Sequence, residues 1–180
     1  MLVQAGAGGV GVAAIQLAKR AGARVLATAS SDERLERLKA LGMDDGGNSA
    51  REDVADWVMR VTGGQGVDLA VDPVGGATLQ ASLRALAYGG RAVMVGAAGR
   101  EPMRVDVSNL MGGNRTLRGV FLGAEIGTPR VRANIQRLIE EAARGELKVI
   151  VDRAFPLAEA AAAHAYIESR RAVGRVLLIP

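Results

Sequence analysis

The sequence predicts an α/β protein built on an open, doubly wound parallel sheet of six strands. Short apolar runs alternate along the chain with segments whose apolar residues recur at helical spacing, and this alternation is typical of parallel βαβ units. The crossovers of such units are right-handed. A further strand, helix and strand follow the sixth strand, and we expect them to form a C-terminal extension.

The first half of the predicted sheet has three strands. Met1–Ala5 is a short apolar run, and apolar residues then recur at helical spacing over residues 10–18. Arg24–Ala29 predicts the second strand, and three leucines line the charged helix after it, which ends at Gly42. The third strand falls near Met43–Ser49 and should be short, because "MDDGGNS" is a poor strand sequence.

The second half begins with a helix predicted over Arg51–Val61. The near-continuous apolar run Val67–Asp72 predicts a fourth strand that is buried on both faces. Thr78–Ala87 then predicts a helix closed by "YGG", followed by strands at Arg91–Gly96 and Thr116–Gly123.

The rest of the chain has one amphipathic helix around residues 135–142 and then "VIVDRAF", "LAEAAAAHAYIESR" and "RVLLI". We expect a dinucleotide-binding domain over residues 1–129 and a C-terminal segment over residues 130–180. Arg175 precedes the last strand, where it could either meet a phosphate or stay solvated, and the solvated side chain is the favoured interpretation.

Composition excludes several classes of function. Of the 180 residues, 49% are hydrophobic and 23% are charged, as in ordinary globular proteins. No apolar run reaches the roughly 18 residues of a membrane span, and the first apolar stretch lacks the basic leader of a signal peptide. The net charge is +4, but the arginines are scattered and aromatic residues make up only 3%, so we expect neither a nucleic-acid nor a membrane partner.

The chain contains no cysteine and one histidine, His164. The lack of cysteine excludes disulfides and thiolate ligands and fits a cytoplasmic location. With a single histidine, we predict no metal site and no histidine-based triad. His164 has no partner nearby in the sequence, so we interpret it as structural and assign no catalytic residue.

A glycine cluster, "GAGGVG" at residues 6–11, follows the first strand and opens the first helix. Gly6 permits the tight turn off the strand, Gly8 lets the backbone approach a pyrophosphate, and Gly11 lets the helix pack closely on the sheet. This context, within a βαβ unit of about thirty residues, favours a Rossmann dinucleotide site over a glycine-rich turn without a ligand.

The end of the second strand indicates which dinucleotide binds. A NAD site usually carries an acidic residue there, but this strand ends at Thr28 and Ala29. Ser30, Ser31 and Arg34 follow, and small hydroxyls with a guanidinium suit the 2′-phosphate of NADP. Ser30 and Glu33 also match a capping box, and Asp32 could reach a ribose hydroxyl, so NAD stays open while NADP is our prediction.

Four stretches, "VQAGAGGVGVAAIQLAKRAGARVLATASSDER", "GQGVDLAVDPVGGATLQASLRALAYGGRAVMVG", "TLRGVFLG" and "AHAYIESRRAVGRVLLIP", span nearly the whole chain. In this order they resemble the medium-chain dehydrogenase/reductase superfamily, and within it the quinone oxidoreductase branch. The resemblance implies NADPH-dependent reduction of quinones or activated double bonds. It also implies that the catalytic domain which precedes this segment in the family is absent from these residues.

The resemblance assigns residues to the parts of the cofactor. Gly8, Gly9 and Val10 should meet the pyrophosphate, and Ser30 and Arg34 fall where the branch contacts the 2′-phosphate. Residues at carboxyl ends of strands should lie near the nicotinamide: Val74, Gly96, Phe121 and Leu122. The branch often has a tyrosine after the third strand; this chain has Ser49 there, with Asn48 as the remaining candidate for the adenosine end.

The resemblance also bears on assembly. The "TLRGVFLG" strand pairs across a two-fold axis in the family, so we expect a homodimer. Residues from about 130 onward pack on the family's catalytic domain. In this chain they either expose apolar faces or fold back on the sheet, and both alternatives stay open.

We therefore predict the NADPH-binding part of an oxidoreductase that acts on a small-molecule substrate, a quinone or an activated double bond. Three alternatives remain: a stand-alone NADP-binding module, an enoyl reductase segment of a larger synthase, and the cofactor domain of a zinc-type alcohol dehydrogenase.

Overall fold

The computed structural model describes residues 1–180 and contains a six-stranded parallel sheet in the order β3-β2-β1-β4-β5-β6. Its strands are β1 (Leu2–Val3), β2 (Leu26–Ala29), β3 (Asp45–Asn48), β4 (Val67–Asp72), β5 (Leu86–Met94) and β6 (Thr116–Gly119). Every neighbouring pair runs parallel. The strand order reverses between β1 and β4, which is the Rossmann arrangement, and the predicted fold class is confirmed.

Eight α-helices accompany the sheet and its extension: α1 (Gly9–Arg20), α2 (Asp32–Lys39), α3 (Val54–Val61), α4 (Gly76–Arg84), α5 (Ser108–Met111), α6 (Leu122–Glu125), α7 (Pro129–Ala143) and α8 (Ala160–Glu168). None of them combines the length and the apolar character that crossing a membrane would require.

The core lies on both faces of the sheet because successive strand residues point in opposite directions. Val3 and Ala27 pack in one buried cluster with residues of α1 and α2. Their neighbours Leu2 and Leu26 pack in a second cluster with residues of α3 and α4. This alternation gives the sheet its two covered faces, and it explains why the strands are apolar on both sides.

Several predicted boundaries are wrong. The helix predicted to reach Ala87 ends at Arg84, and β5 begins at Leu86 rather than Arg91, because Leu86 is fully buried and pairs with Val67 across an irregular register. β1 stops at Val3, since the chain already turns at the residues that follow. The sixth strand ends at Gly119, and the last two residues predicted for it, Leu122 and Gly123, begin α6 instead.

The third strand is short, as predicted, and its glycines have a packing reason. A Cβ on Gly47 would lie 2.6 Å from the ring of Trp57, which is buried beneath the strand. The poor strand sequence therefore allows α3 to bring its indole directly against the backbone of β3.

The C-terminal extension pairs β7 (Val151–Pro156) with β8 (Arg175–Ile179) in a parallel two-stranded sheet. A short 3-10 helix over Leu157–Glu159 leads into α8. The extension docks on the α1 side of the large sheet, where Val173 is buried in the first core cluster. The N–H of Gly174 donates to the carbonyl of Ala7 at 2.9 Å.

The C-terminal segment both folds back on the large sheet and exposes apolar side chains, so each of the two alternatives holds in part. The turn before β8 is anchored on the Rossmann core, whereas Leu178 and Ile179 in β8 remain 40% and 48% exposed. A two-stranded sheet of this kind is marginal alone, so its stability depends on the anchored side.

An ion-pair cluster ties α7 to α1. Glu141 is buried, and it pairs with Arg20 at 2.9 Å and with Arg137 at 2.5 Å. The hydrogen bond from Arg20 lowers the pKa of Glu141, and Arg137 adds to this effect, although burial acts in the opposite direction.

We expect the stability that Glu141 contributes to be complete above about pH 4.3, the ordinary pKa of glutamate, and to be lost as the pH falls below it. The reason is that the folded protein then has to take up a proton on a carboxylate that it prefers to keep ionised. Urea unfolding of the wild type and of Glu141→Gln across pH 3–7 checks this. The exposed neighbour Glu140, changed to glutamine, is the control. A stability difference that stays constant with pH would contradict the prediction.

Candidate dinucleotide-binding site

A cleft of about 500 Å³ opens at the carboxyl ends of β1, β2 and β4, where the strand order reverses. Ligand sites of open α/β sheets occur at this position. Among the residues that line it are Gln4, Thr28, Ser30, Arg34, Val74 and Arg170.

A buried chain of hydrogen bonds forms the floor of the cleft. The hydroxyl of Thr28 donates to Gln4 Oε1 at 2.8 Å, and Gln4 Nε2 donates to Ser82 Oγ at 3.1 Å. Ser82 in turn lies 3.1 Å from Asp72 Oδ2, while Asp72 Oδ1 accepts the N–H groups of Val74 and Gly75. The chain links the ends of β2, β1 and β4, so these polar side chains fix the shape of the cleft.

The glycine loop brings α1 unusually close to β1. A Cβ on Gly11 would lie 2.5 Å from both the Cα and the carbonyl oxygen of Gly6. Gly8 stands at the N-cap of α1 in an extended conformation, and no side chain caps the helix there. The first-turn N–H groups are therefore left for a ligand, and the helix dipole makes this position favourable for an anion.

Arg175 adds a full positive charge to the same position. Arg175 is exposed, as the sequence favoured, but its guanidinium lies against the backbone of Gly9. A Cβ added to Gly9 would come within 2.6 Å of Arg175 Cζ. Val10 is 46% exposed beside it in the first turn of α1. The start of α1 thus combines free N–H groups with a guanidinium, a donor set that suits phosphate oxygens.

A second basic position lies at the end of β2. Arg34 Nη1 donates to Ser30 Oγ at 3.1 Å, but Arg34 Nε is buried without a hydrogen-bond partner. Arg170, held in a left-handed backbone conformation with φ 56°, lines the same cleft. Burial lowers the pKa of Arg34, and the charges of Arg170 and Arg37 lower it further. An anion bound here would offset the repulsion between these guanidinium groups.

Of the predicted site residues, Thr28, Ser30, Arg34 and Val74 line the cleft, and the others, Ser31 and Asn48 among them, do not. Ser31 caps α2 by accepting the N–H of Arg34 at 3.4 Å. Asn48 donates to Asp32 Oδ1 at 2.7 Å and accepts the N–H of Ala50 through its own side-chain oxygen. Ser31 and Asn48 both make local hydrogen bonds, and their assignment as cofactor contacts stays a prediction.

Asp32, the residue that could have favoured NAD, is engaged elsewhere. Its second oxygen pairs with Arg51 at 2.5 Å, and the residue does not line the cleft. Asp32 is therefore engaged by Arg51 and Asn48 outside the cleft.

The residues predicted for the nicotinamide end are only partly brought together. Val74 lines the cleft, and Gly96 packs against Pro73, whose carbonyl oxygen would be 2.8 Å from an added Cβ. Phe121 and Leu122 follow β6 and are 77% and 55% exposed, outside the cleft. All of these residues nevertheless follow the carboxyl ends of β4, β5 and β6.

Sequence reasoning missed Arg170 and Gln4. Arg170 follows the end of α8, far along the chain from Arg34, and no periodicity or motif spacing connects the two. Gln4 reads as part of an apolar strand, yet its side chain is the centre of the buried network. His164 is exposed on α8 and does not line the cleft.

The reversed strand order, the glycine loop and the arginine-lined cleft together define a dinucleotide-binding domain of the dehydrogenase type. The chain belongs to the zinc-binding dehydrogenase family, whose family model matches residues 9–144. The resemblance to the medium-chain dehydrogenase/reductase superfamily is thereby confirmed.

Individual proteins show the same relationship. The chain is 33% identical to the 2-haloacrylate reductase of a Burkholderia species, over 100% of this chain and 55% of that protein. It is 32% identical to the mycocerosic acid synthase-like polyketide synthase of Mycobacterium tuberculosis, over 99% of this chain and 8% of that protein. The structure of Escherichia coli quinone oxidoreductase in complex with NADPH matches with a TM-score of 0.89 and 31% identity, over 99% of this chain and 56% of that one. The chain therefore spans about half or less of these relatives.

The family name refers to zinc, but the residues of this chain do not fit a zinc site. The structure brings together no group of three or more His, Cys, Asp or Glu side chains that could hold a metal ion. The chain has no cysteine, and its one histidine is exposed. We therefore derive no step that involves a metal.

Proposed function

We propose that the chain is the NADPH-binding part of an oxidoreductase that transfers hydride to a quinone or an activated double bond. The observation that carries this proposal is that the guanidinium of Arg34 lines the same cleft as Ser30 and Arg170. A 2′-phosphate would accept hydrogen bonds from all three side chains, whereas a ribose hydroxyl would leave two guanidinium charges uncompensated. The NADPH complex of the E. coli relative supports the same cofactor.

The start of α1 would hold the pyrophosphate. The first-turn N–H groups of Gly9 and Val10 would donate to it, Gly8 would leave room for its approach, and Arg175 would supply the opposite charge. Gly6 and Gly11 act indirectly, because they allow α1 to pack closely enough on β1 to present these groups.

When bound, the reduced nicotinamide would supply the hydride. The task of this chain is to orient the ring: Val74, held by the carboxylate of Asp72, offers it an apolar wall. Gly96, Phe121 and Leu122 lie beyond, at neighbouring strand ends, where they would contact the ring once substrate and cofactor are in place. We assign the proton donor to solvent or to the part of the relatives that this chain does not cover.

Ligands that differ only in the 2′-phosphate test the proposal sharply. We expect 2′,5′-ADP to bind the chain at least about tenfold more tightly than 5′-AMP, because only the former reaches Arg34 and Arg170 with an anionic group. Isothermal titration calorimetry of both nucleotides measures the ratio. Equal affinities would contradict a 2′-phosphate site.

Replacing Arg175 with alanine should weaken NADPH and NADH to the same extent, by about tenfold, since the pyrophosphate is common to both. Fluorescence titration with each nucleotide checks this. Arg132→Ala, an exposed position on α7, serves as the control. A loss confined to NADPH would move Arg175 to the 2′-phosphate side of the site.

The division into residues 1–129 and 130–180 also belongs to this proposal, supported by the separate two-stranded sheet of the extension. A homodimer through β6 is proposed because β6 is an edge strand with exposed apolar residues after it, Val120 and Phe121. A monomeric mass in light scattering would contradict the dimer. The cytoplasmic location stays a prediction from the composition.

One observation favours a second function. The match to a polyketide synthase covers 99% of this chain, which supports an enoyl reductase segment of a larger synthase. An assay with NADPH and either a quinone or an enoyl thioester separates the two substrates. NADPH oxidation by the chain with either substrate would contradict a module that only binds the nucleotide.

A further inference from the structure

A carboxylate outside the cleft connects the elements that carry its two arginines. Asp152 lies in β7, and its side chain is 4% exposed. It accepts a hydrogen bond from Arg37 Nη2 through Oδ1, and it accepts the hydroxyl of Tyr166 through Oδ2 at 2.6 Å. The backbone N–H of Val173 also faces this carboxylate.

The partners of Asp152 are placed next to the cleft arginines. Arg37 lies one helical turn after Arg34 on α2, and Tyr166 lies one turn before Arg170 near the end of α8. Asp152 thus joins α2 to α8, two helices that are far apart in the sequence. The bridge lies close to Arg34 on α2 and to Arg170, which follows α8, and both arginines line the same cleft.

The bridge is maintained in ionised form. Burial alone raises the pKa of Asp152, but the hydrogen bonds from Tyr166 and Arg37 outweigh it and hold the pKa below its usual range. Two further cations pack on the ring of Tyr166, since Arg153 and Arg171 lie 4.7 Å and 5.2 Å from its centroid. The phenol is therefore held in place on its ring as well as at its hydroxyl.

We propose that Asp152 is a positioning residue for NADP specificity: by joining α2 to α8 it keeps Arg170 beside Arg34, where both reach one 2′-phosphate. This inference rests on the proposed function of the cleft. Two physical effects of the carboxylate oppose each other, and their balance makes the proposal testable. The negative charge of Asp152 near the site weakens phosphate binding. The bridge that Asp152 forms between α2 and α8 strengthens phosphate binding.

The test is Asp152→Asn in the 180-residue chain, with NADPH and NADH titrated in parallel. If the bridge dominates, NADPH binding weakens by about tenfold while NADH changes by less than about twofold, so the preference for NADPH falls. Asp44→Asn is the matched control. Asp44 likewise accepts hydrogen bonds from a basic side chain, Lys19 at 2.6 Å, and from a backbone N–H, that of Val25 at 2.8 Å. It does not line the cleft. The control should leave the nucleotide preference unchanged.

Unchanged or tighter NADPH binding by Asp152→Asn would overturn the inference, because charge removal would then outweigh the bridge. Tyr166→Phe provides a second test that keeps the ring and removes only the hydroxyl. It should lower the NADPH preference in the same direction by about threefold, and a wild-type preference in this variant would also overturn the inference. The titration of the wild type tests the proposed function separately. A wild type that binds NADPH and NADH equally would contradict the NADP site, and the proposed role of Asp152 would then fail as well.

Discussion

Replacing Arg34 with alanine is expected to weaken NADPH binding by about 10- to 100-fold and to leave NADH binding nearly unchanged. The loss corresponds to roughly 1.5–3 kcal/mol, the usual contribution of hydrogen bonds to charged groups. Arg34 is well placed for this contribution because its guanidinium lines the cleft beside Arg170 and is oriented by its hydrogen bond to Ser30 Oγ at 3.1 Å. Calorimetric titration of both nucleotides measures the effect.

Lys39→Ala controls for the removal of a cation from the same helix. Lys39 lies at the end of α2, exposed and paired with Glu36, and it does not line the cleft. This variant should keep the wild-type affinity for both nucleotides. An equal loss of NADPH and NADH in Arg34→Ala would remove the 2′-phosphate role of the arginine.

Replacing Gly11 with alanine is expected to lower stability and to weaken both nucleotides together. The added methyl would lie 2.5 Å from the backbone of Gly6, and no flexible side chain is there to move aside. Overpacking of this kind costs about 1–3 kcal/mol, and α1 must move away from β1 to relieve it. That movement displaces the first-turn N–H groups from the pyrophosphate. Urea unfolding and nucleotide titration measure the two effects.

Gly127→Ala is the matched control, because no atom lies within 4 Å of the Cβ it would add. It should leave both stability and nucleotide binding close to wild type. Wild-type stability in Gly11→Ala would show that the close approach of α1 to β1 does not constrain this position.

The sheet could be predicted from the sequence because its signals are local. The apolar run Val67–Asp72 and the glycine loop each specify their structure within a few residues, and β4 has the predicted bounds. The boundary at Leu86 could not be predicted in this way. Local helical spacing extends past Arg84, and only the pairing of Leu86 with Val67 in the folded sheet starts the strand there.

The site was predictable only where its residues are close in sequence. Ser30 and Arg34 lie one helical turn apart and do meet in the cleft. Arg170 comes to the same cleft only because the C-terminal extension docks on α1 and α2, which is a tertiary contact without a local pattern. The bond between Asn48 and Asp32 similarly emerges only from packing, whereas the cap that Ser31 gives to the N–H of Arg34 is a local interaction, one residue later than the predicted capping box of Ser30 and Glu33.

The central claim is that this chain alone presents a preformed NADP site. The most direct measurement is a fluorescence titration of the 180-residue chain with NADPH and with NADH at the same ionic strength. The account predicts that NADPH binds at least about tenfold more tightly, because the 2′-phosphate meets Ser30, Arg34 and Arg170. Equal affinities, or tighter binding of NADH, would contradict it and would turn attention to Asp32 as a ribose ligand.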